Sequence, residues 1–125
     1  MYSKLPRIII IDDDLDILET TGALLQSAGF EIHSSDSVEE GLEMIARLSP
    51  DLVLLDLLFP EHPSSGFRTA GTIKANYPNL PLFVLTSINR EYALEFTRDE
   101  LQAEEYVTKP VRIERLVELI HHYIS

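Results

Sequence analysis

The sequence has 125 residues, ten basic against 21 acidic, giving a formal charge of −11 with 45% of its side chains apolar. A chain of this size makes one domain that buries roughly two-thirds of its unfolded surface, with nothing left over for a second. The absence of cysteine excludes disulfides, thiolate zinc sites and thiol nucleophiles, and basic residues that never form a run argue against nucleic acid or an anionic membrane as partner.

No unbroken apolar stretch exceeds four residues, far below the ~20 that span a bilayer, and residues 1–6 lack the apolar centre of a secretory signal. The expectation is a cytoplasmic, acidic single domain over 1–125, with its core over about 7–124.

In chain order, 7–11 reads as a strand that is apolar at almost every position, as a strand covered on both faces must be. A helix over 15–28 follows, capped by Asp14 or Asp16 and closed by Gly29. The run 30–34 is a more polar strand, nearer an edge. Val38, Leu42 and Ile45 recur at helical spacing, widened by Met44 and Leu48. With Ser37 and Glu40 forming a capping box and Pro50 as the stop, they predict a helix over 38–48. The run 52–55 is another fully apolar strand. Helices near 65–76 and 90–101 flank a strand at 82–85, and 106–108 is a short fifth strand. Ile113, Leu116, Val117, Ile120 and Ile124 define the strongest amphipathic stripe and a C-terminal helix. Five strands alternating with five helices predict an α/β doubly wound sheet.

In such sheets the binding crevice lies beyond the carboxyl ends of the strands. The residues at those ends are Asp12, Asp13 and Asp14, then Asp56, then Thr86 and Ser87, then Lys109 before Pro110. Close carboxylates repel by about 1 to 4 kcal/mol per pair at dielectric 80 to 20, so the set calls for a counter-charge. Oxygen-only ligands favour a hard divalent ion, and Mg²⁺ is commonly held by one or two carboxylates. Asp56 is a carboxylate able to attack phosphorus, and Lys109 and Thr86 are placed to stabilise a transferred phosphoryl group. Asp12, Asp14 and Asp16 imitate a calcium loop, but Ile17 stands where glycine is needed and Ala23 where the bidentate glutamate belongs.

Blander readings compete residue by residue. Asp14 and Asp16 suit an acidic helix start, Thr86 a turn hydroxyl, Lys109 a surface lysine and Tyr106 core packing. His33 and His62 have no acidic or hydroxyl partner at a recognisable spacing and read as structural or surface residues, while His121 and His122 fall at an exposed helix C-terminus and are assigned no ligand role.

Taken together, IIIIDDD with Asp12 and Asp13, LVLLDLLFP with Asp56, FVLTS with Thr86, and EYVTKP with Tyr106 and Lys109 resemble the receiver domains of two-component response regulators, including the chemotaxis-regulator type, from Arg7 to Ile124. The resemblance implies a flavodoxin-like five-stranded parallel sheet of order 2-1-3-4-5 and a peptide before Pro110 that is commonly cis. It implies that a histidine kinase or phosphotransfer protein phosphorylates Asp56, and that Mg²⁺ is held by Asp12, Asp13, Asp56 and a backbone carbonyl at Leu58. Lys109 would pair with the phosphate. Thr86 and Tyr106 would form a switch acting on a surface of the fourth helix, fifth strand and fifth helix, where Tyr92, Phe96, Leu119 and Tyr123 would meet a partner or a second copy in a homodimer.

The reading is thus a signalling domain, not an enzyme, and either free-standing or excised from a longer regulator. The loop over 60–66 is one residue longer than the family pattern and lacks its customary acidic residue, and Gln102–Ala103 replaces the usual Gly-Ala. Leu58 and Ile88 stand where many relatives carry polar side chains, which predicts slow hydrolysis of the acylphosphate. The rivals are a pseudo-receiver that binds partners without phosphorylation, an aspartate-nucleophile phosphatase and a flavin carrier. The phosphatase needs an acid/base where Leu58 stands, and the flavin carrier's phosphate loop would be acidic here.

Overall fold

The computed structural model describes residues 5–56, 63–86 and 103–124, with 63–67, 86 and 108 described by backbone alone. Its elements are β1 (Arg7–Ile11), α1 (Leu15–Ser27), β2 (Glu31–Ser35), α2 (Val38–Leu48), β3 (Leu52–Asp56), α3 (Pro63–Asn76), β4 (Leu82–Thr86), β5 (Glu105–Thr108) and, last, α4 (Ile113–Tyr123). The predicted helix over 90–101 lies outside the described residues, as do Leu58, His62, Ser87, Ile88, Tyr92, Phe96 and Gln102.

All strand pairs are parallel and the order is β2-β1-β3-β4-β5, so β3 is central and β2 is an edge, as its polarity indicated. Alternation along the strands divides the core into two layers. Ile9, Ile11, Val53, Leu55 and Val84 pack under Met44 and Ile45 of α2 and Ala70 and Ile73 of α3. Ile8, Ile10, Leu54, Phe83 and Leu85 meet Leu18 and Leu25 of α1 and Leu116 and Ile120 of α4. Burying each such side chain is worth about 1.5–3 kcal/mol, which is why strands apolar at successive positions are stable only between two helical layers.

The helix ends are set by specific groups. Asp14 caps α1, its carboxylate accepting the N–H groups of Asp16 and Ile17 at 3.0 and 3.2 Å. At the other end Gly29, with φ of 102°, lets its N–H reach Gln26 O and the Phe30 N–H reach back to Leu25 O, the paired bonds of a Schellman closure. Phe30 therefore belongs to the helix stop, and β2 starts one residue later than its apolar character suggested. The capping box at α2 forms only by half. Ser37 Oγ accepts the Glu40 N–H at 3.2 Å, while the Ser37 N–H goes to Ser35 Oγ. Ser49, in the left-handed region at φ 49°, closes α2 just ahead of Pro50. Gly41 lets α2 sit against β1, since a methyl there would lie 2.5 Å from Ile11 Cδ1.

At the amino ends of the strands, charged groups tie elements together. Lys74 is almost fully buried, donates to Pro78 O and Leu80 O at 3.1 and 2.9 Å and pairs with Glu104, whose other oxygen accepts the Leu82 N–H at 3.0 Å. Arg7 pairs with Glu31, and His33 lies 2.9 Å from the same carboxylate. The expectation that His33 lacks an acidic partner is therefore corrected, because residues two apart on an edge strand share a face. His33 and Arg7 hold Glu31 below the usual carboxylate range. Among the described residues no helix is long and apolar enough to cross a membrane.

Candidate functional site

After β1 the chain turns to β2 on one side, while β3 lies on the other, so the carboxyl ends of β1 and β3 frame the crevice expected at a topological switch point. Asp12 follows β1 directly, and its N–H donates to the carbonyl of Ser35, the last residue of β2, at 3.0 Å, carrying the β1–β2 ladder one residue past the end of β1. Its Oδ1 accepts the Asp14 N–H at 2.9 Å, so the residue that caps α1 also orients Asp12. Asp56 is the last residue of β3 and lies opposite Leu85 in register. Asp12 and Asp56 are buried and Asp13 is exposed.

These side chains converge. One carboxylate oxygen from each of Asp12, Asp13 and Asp56 lies within 4.8 Å of the others. Lys109, reached through β5 and followed by a cis peptide to Pro110, places Nζ 3.3 Å from Asp12 Oδ2 and 3.0 Å from Asp56 Oδ2. The ammonium thus bridges both buried carboxylates.

One cation does not balance the set. Burial, a hydrogen bond to Asp56 and that group's negative charge push the Asp12 carboxyl up to about 7, against the opposing pull of the Asp14 N–H and of Lys109. Desolvation favours the neutral acid, and a divalent ion would relieve it. Opposite oxygens around Mg²⁺ stand about 4.2 Å apart when each bond is ~2.1 Å. Three carboxylate oxygens within 4.8 Å need only small side-chain adjustment to share such an ion, and an all-oxygen set among the described residues suits a hard cation.

The backbone places Thr86 at the end of β4, in register with Thr108 of β5 and so on the same rim. Tyr106, half-buried in β5, packs against the core layer under α2 and α3. Leu58 lies outside the described residues. Of the side chains assigned to the responding face, Leu119 packs against the layer under α1 and α4. Tyr123 donates its hydroxyl to Glu104 O and Glu105 Oε1, both at 3.2 Å, and stacks edge-on to Phe83. His121 and His122 are exposed in the last turn of α4. An apolar groove of about 600 Å³ opens beside Lys109 between α1 and α4, walled by Ile17, Leu24, Pro110 and Leu116. Sequence reading missed Ser35, buried at the end of β2; its only signal was a serine two residues ahead of a helix cap.

The family model of the response regulator receiver domain matches residues 8–121. The chain belongs to that family. Two-component signalling, phosphorylation and Mg²⁺ are features of it. This receiver domain is 30% identical over 115 residues to the cell cycle transcriptional regulator CtrA of Caulobacter vibrioides, a match covering 92% of this chain and 48% of that protein. The chain thus spans about half the length of the curated relatives it matches. Among solved structures, a CheY-like receiver domain protein from Methanospirillum hungatei is 28% identical with a TM-score of 0.83, covering 95% of this chain and 93% of that one. The response regulator TrrA of Thermotoga maritima, solved in complex with Mg²⁺-BeF, is 29% identical with a TM-score of 0.82, covering 96% of this chain and 100% of that one.

Proposed function

We propose that this chain is a single phosphoacceptor receiver domain, taking a phosphoryl group onto Asp56 from the phosphohistidine of a kinase or phosphotransfer protein. The observation that carries the reading is the Lys109 ammonium bridging Asp12 and Asp56 beside Asp13. A buried carboxylate poised between a cation and two further carboxylates suits phosphoryl transfer, in which the protein mainly positions reactants and neutralises charge on the equatorial oxygens.

In this mechanism Asp12, Asp13 and Asp56, with a backbone carbonyl at Leu58, would hold Mg²⁺, which would supply positive charge to neutralise phosphoryl oxygens. A carboxylate oxygen of Asp56 forms the new P–O bond as the donor's P–N bond breaks, and the electron pair returns to the imidazole. Lys109 exchanges its contact with Asp56 for a phosphoryl oxygen. The groove beside Lys109 gives a donor protein apolar surface next to the acceptor. The new dianion then draws Thr86 inward, and Tyr106 turns with it, altering the face made by the predicted fourth helix, β5 and α4 for a partner or a second copy. Any loss of the phosphoryl group by hydrolysis is slow, so the domain acts as a signal carrier in the cytoplasm, not as an enzyme.

Incubation with Mg²⁺ and a small phosphodonor such as acetyl phosphate, followed by intact mass, tests the reading. A single phosphoryl adduct that disappears in Asp56→Asn and on chelation is expected. No adduct would leave a phosphorylation-independent interaction module as the function.

A further inference from the structure

We infer that Ser35 is a positioning residue for the Mg²⁺ site, acting through Asp12; the inference rests on the metal site proposed above. Ser35 is 3% exposed and ends the edge strand β2. Its hydroxyl donates to Ser37 O at 2.7 Å and accepts the Ser37 N–H at 3.2 Å, folding the β2–α2 turn back on itself. The Ser35 carbonyl, in register beside Ile11 at the end of β2, accepts the Asp12 N–H at 3.0 Å and so carries the ladder one residue past β1, directly ahead of the turn that the hydroxyl fastens. Beyond that bond, Asp12 is fixed through its Oδ1 by the Asp14 N–H. One hydroxyl therefore links the start of α2 to a carboxylate of the candidate site.

The chemistry is that of an outer hydrogen bond that orients a metal ligand. Alanine at position 35 would strip the turn of both hydroxyl bonds and let the Ser35 carbonyl drift. Asp12, a buried carboxylate with little room, would lose one of its two backbone restraints. Ser37 supplies an internal contrast. Its own hydroxyl caps α2 by accepting the Glu40 N–H, whereas the Ser35 hydroxyl bonds, among the described residues, the Ser37 backbone, whose N–H any residue at 37 except proline keeps. The two neighbouring serines thus divide helix stability from metal geometry.

The experiment is calorimetric titration of the metal-free protein with Mg²⁺ for wild type, Ser35→Ala and Ser37→Ala, alongside urea unfolding in chelator. Ser35→Ala is expected to weaken Mg²⁺ binding on the order of tenfold, and Ser37→Ala to lower the unfolding midpoint while leaving affinity within about twofold. Unchanged affinity in Ser35→Ala, or equal weakening in both variants, overturns the positioning role while leaving the site itself intact. A wild type that does not bind Mg²⁺ overturns the site and this inference together.

Discussion

Replacing Asp56 with asparagine should stabilise the metal-free fold, even though it removes an ion pair. At an effective dielectric near 20, Lys109 at 3.0 Å attracts the Asp56 carboxylate by about 5.5 kcal/mol, and two carboxylates at 4.8 Å repel by about 3.5 kcal/mol. The oxygens of Asp12 and Asp56 are within that separation. Above pH 7, where Asp12 is ionised, the charge on Asp56 therefore keeps at most about 2 kcal/mol of net attraction, and the exposed Asp13 carboxylate, within the same 4.8 Å, lowers it further. Withdrawing a carboxylate from water costs several kcal/mol. Lys109 is not stranded by the substitution, because Asp12 remains 3.3 Å away. A gain on the order of 1–3 kcal/mol is expected for Asp56→Asn in urea unfolding with chelator present. Mg²⁺ at a hundredfold its Kd should raise wild type by about 2.7 kcal/mol and the variant by much less. A less stable Asp56→Asn in chelator, or equal Mg²⁺ gains in both proteins, would refute the reasoning.

Other outcomes follow from the same geometry. Asp12 is raised from 3.8 to about 7, so between those values the folded state holds a proton that the unfolded state has released; metal-free stability should fall as pH rises through that window and level off above it. Urea midpoints across the range check this, and a stability rising with pH in chelator would contradict it. Glu104→Ala leaves the buried Lys74 ammonium with two carbonyls but no counter-charge and should cost about 3–5 kcal/mol, with the double change Lys74→Met and Glu104→Leu recovering most of it. Equal losses in the single and double variants would show that the pair is not the cause. Leu58→Asn should shorten the phosphoryl half-life, measured by decay of the adduct mass, if an apolar side chain at 58 is what keeps water from being oriented there.

The sequence made the interior of the sheet legible because a strand covered on both faces has one reading. IIII and LVLL lie between polar residues with no helical period, and β1 and β3 fall there. Boundaries shifted where a local closure competed with apolar character. Phe30 looks like a strand residue, yet the left-handed Gly29 commits it to ending α1. Asp12, Asp13, Asp56 and Lys109 were legible from their place at strand ends, where topology alone brings them together. The Lys74–Glu104 pair spans 30 residues without a periodic signal to announce it. Ser35 was invisible for a related reason, since its hydroxyl matters only once the turn around Ser37 is closed.

The most direct measurement is the anomalous diffraction of a crystal soaked in Mn²⁺ as a stand-in for Mg²⁺. One strong peak is expected about 2.1 Å from carboxylate oxygens of Asp12, Asp13 and Asp56, with Lys109 still within reach of Asp56. A peak bound elsewhere on the acidic surface, with these three carboxylates left uncoordinated at saturating Mn²⁺, would contradict it.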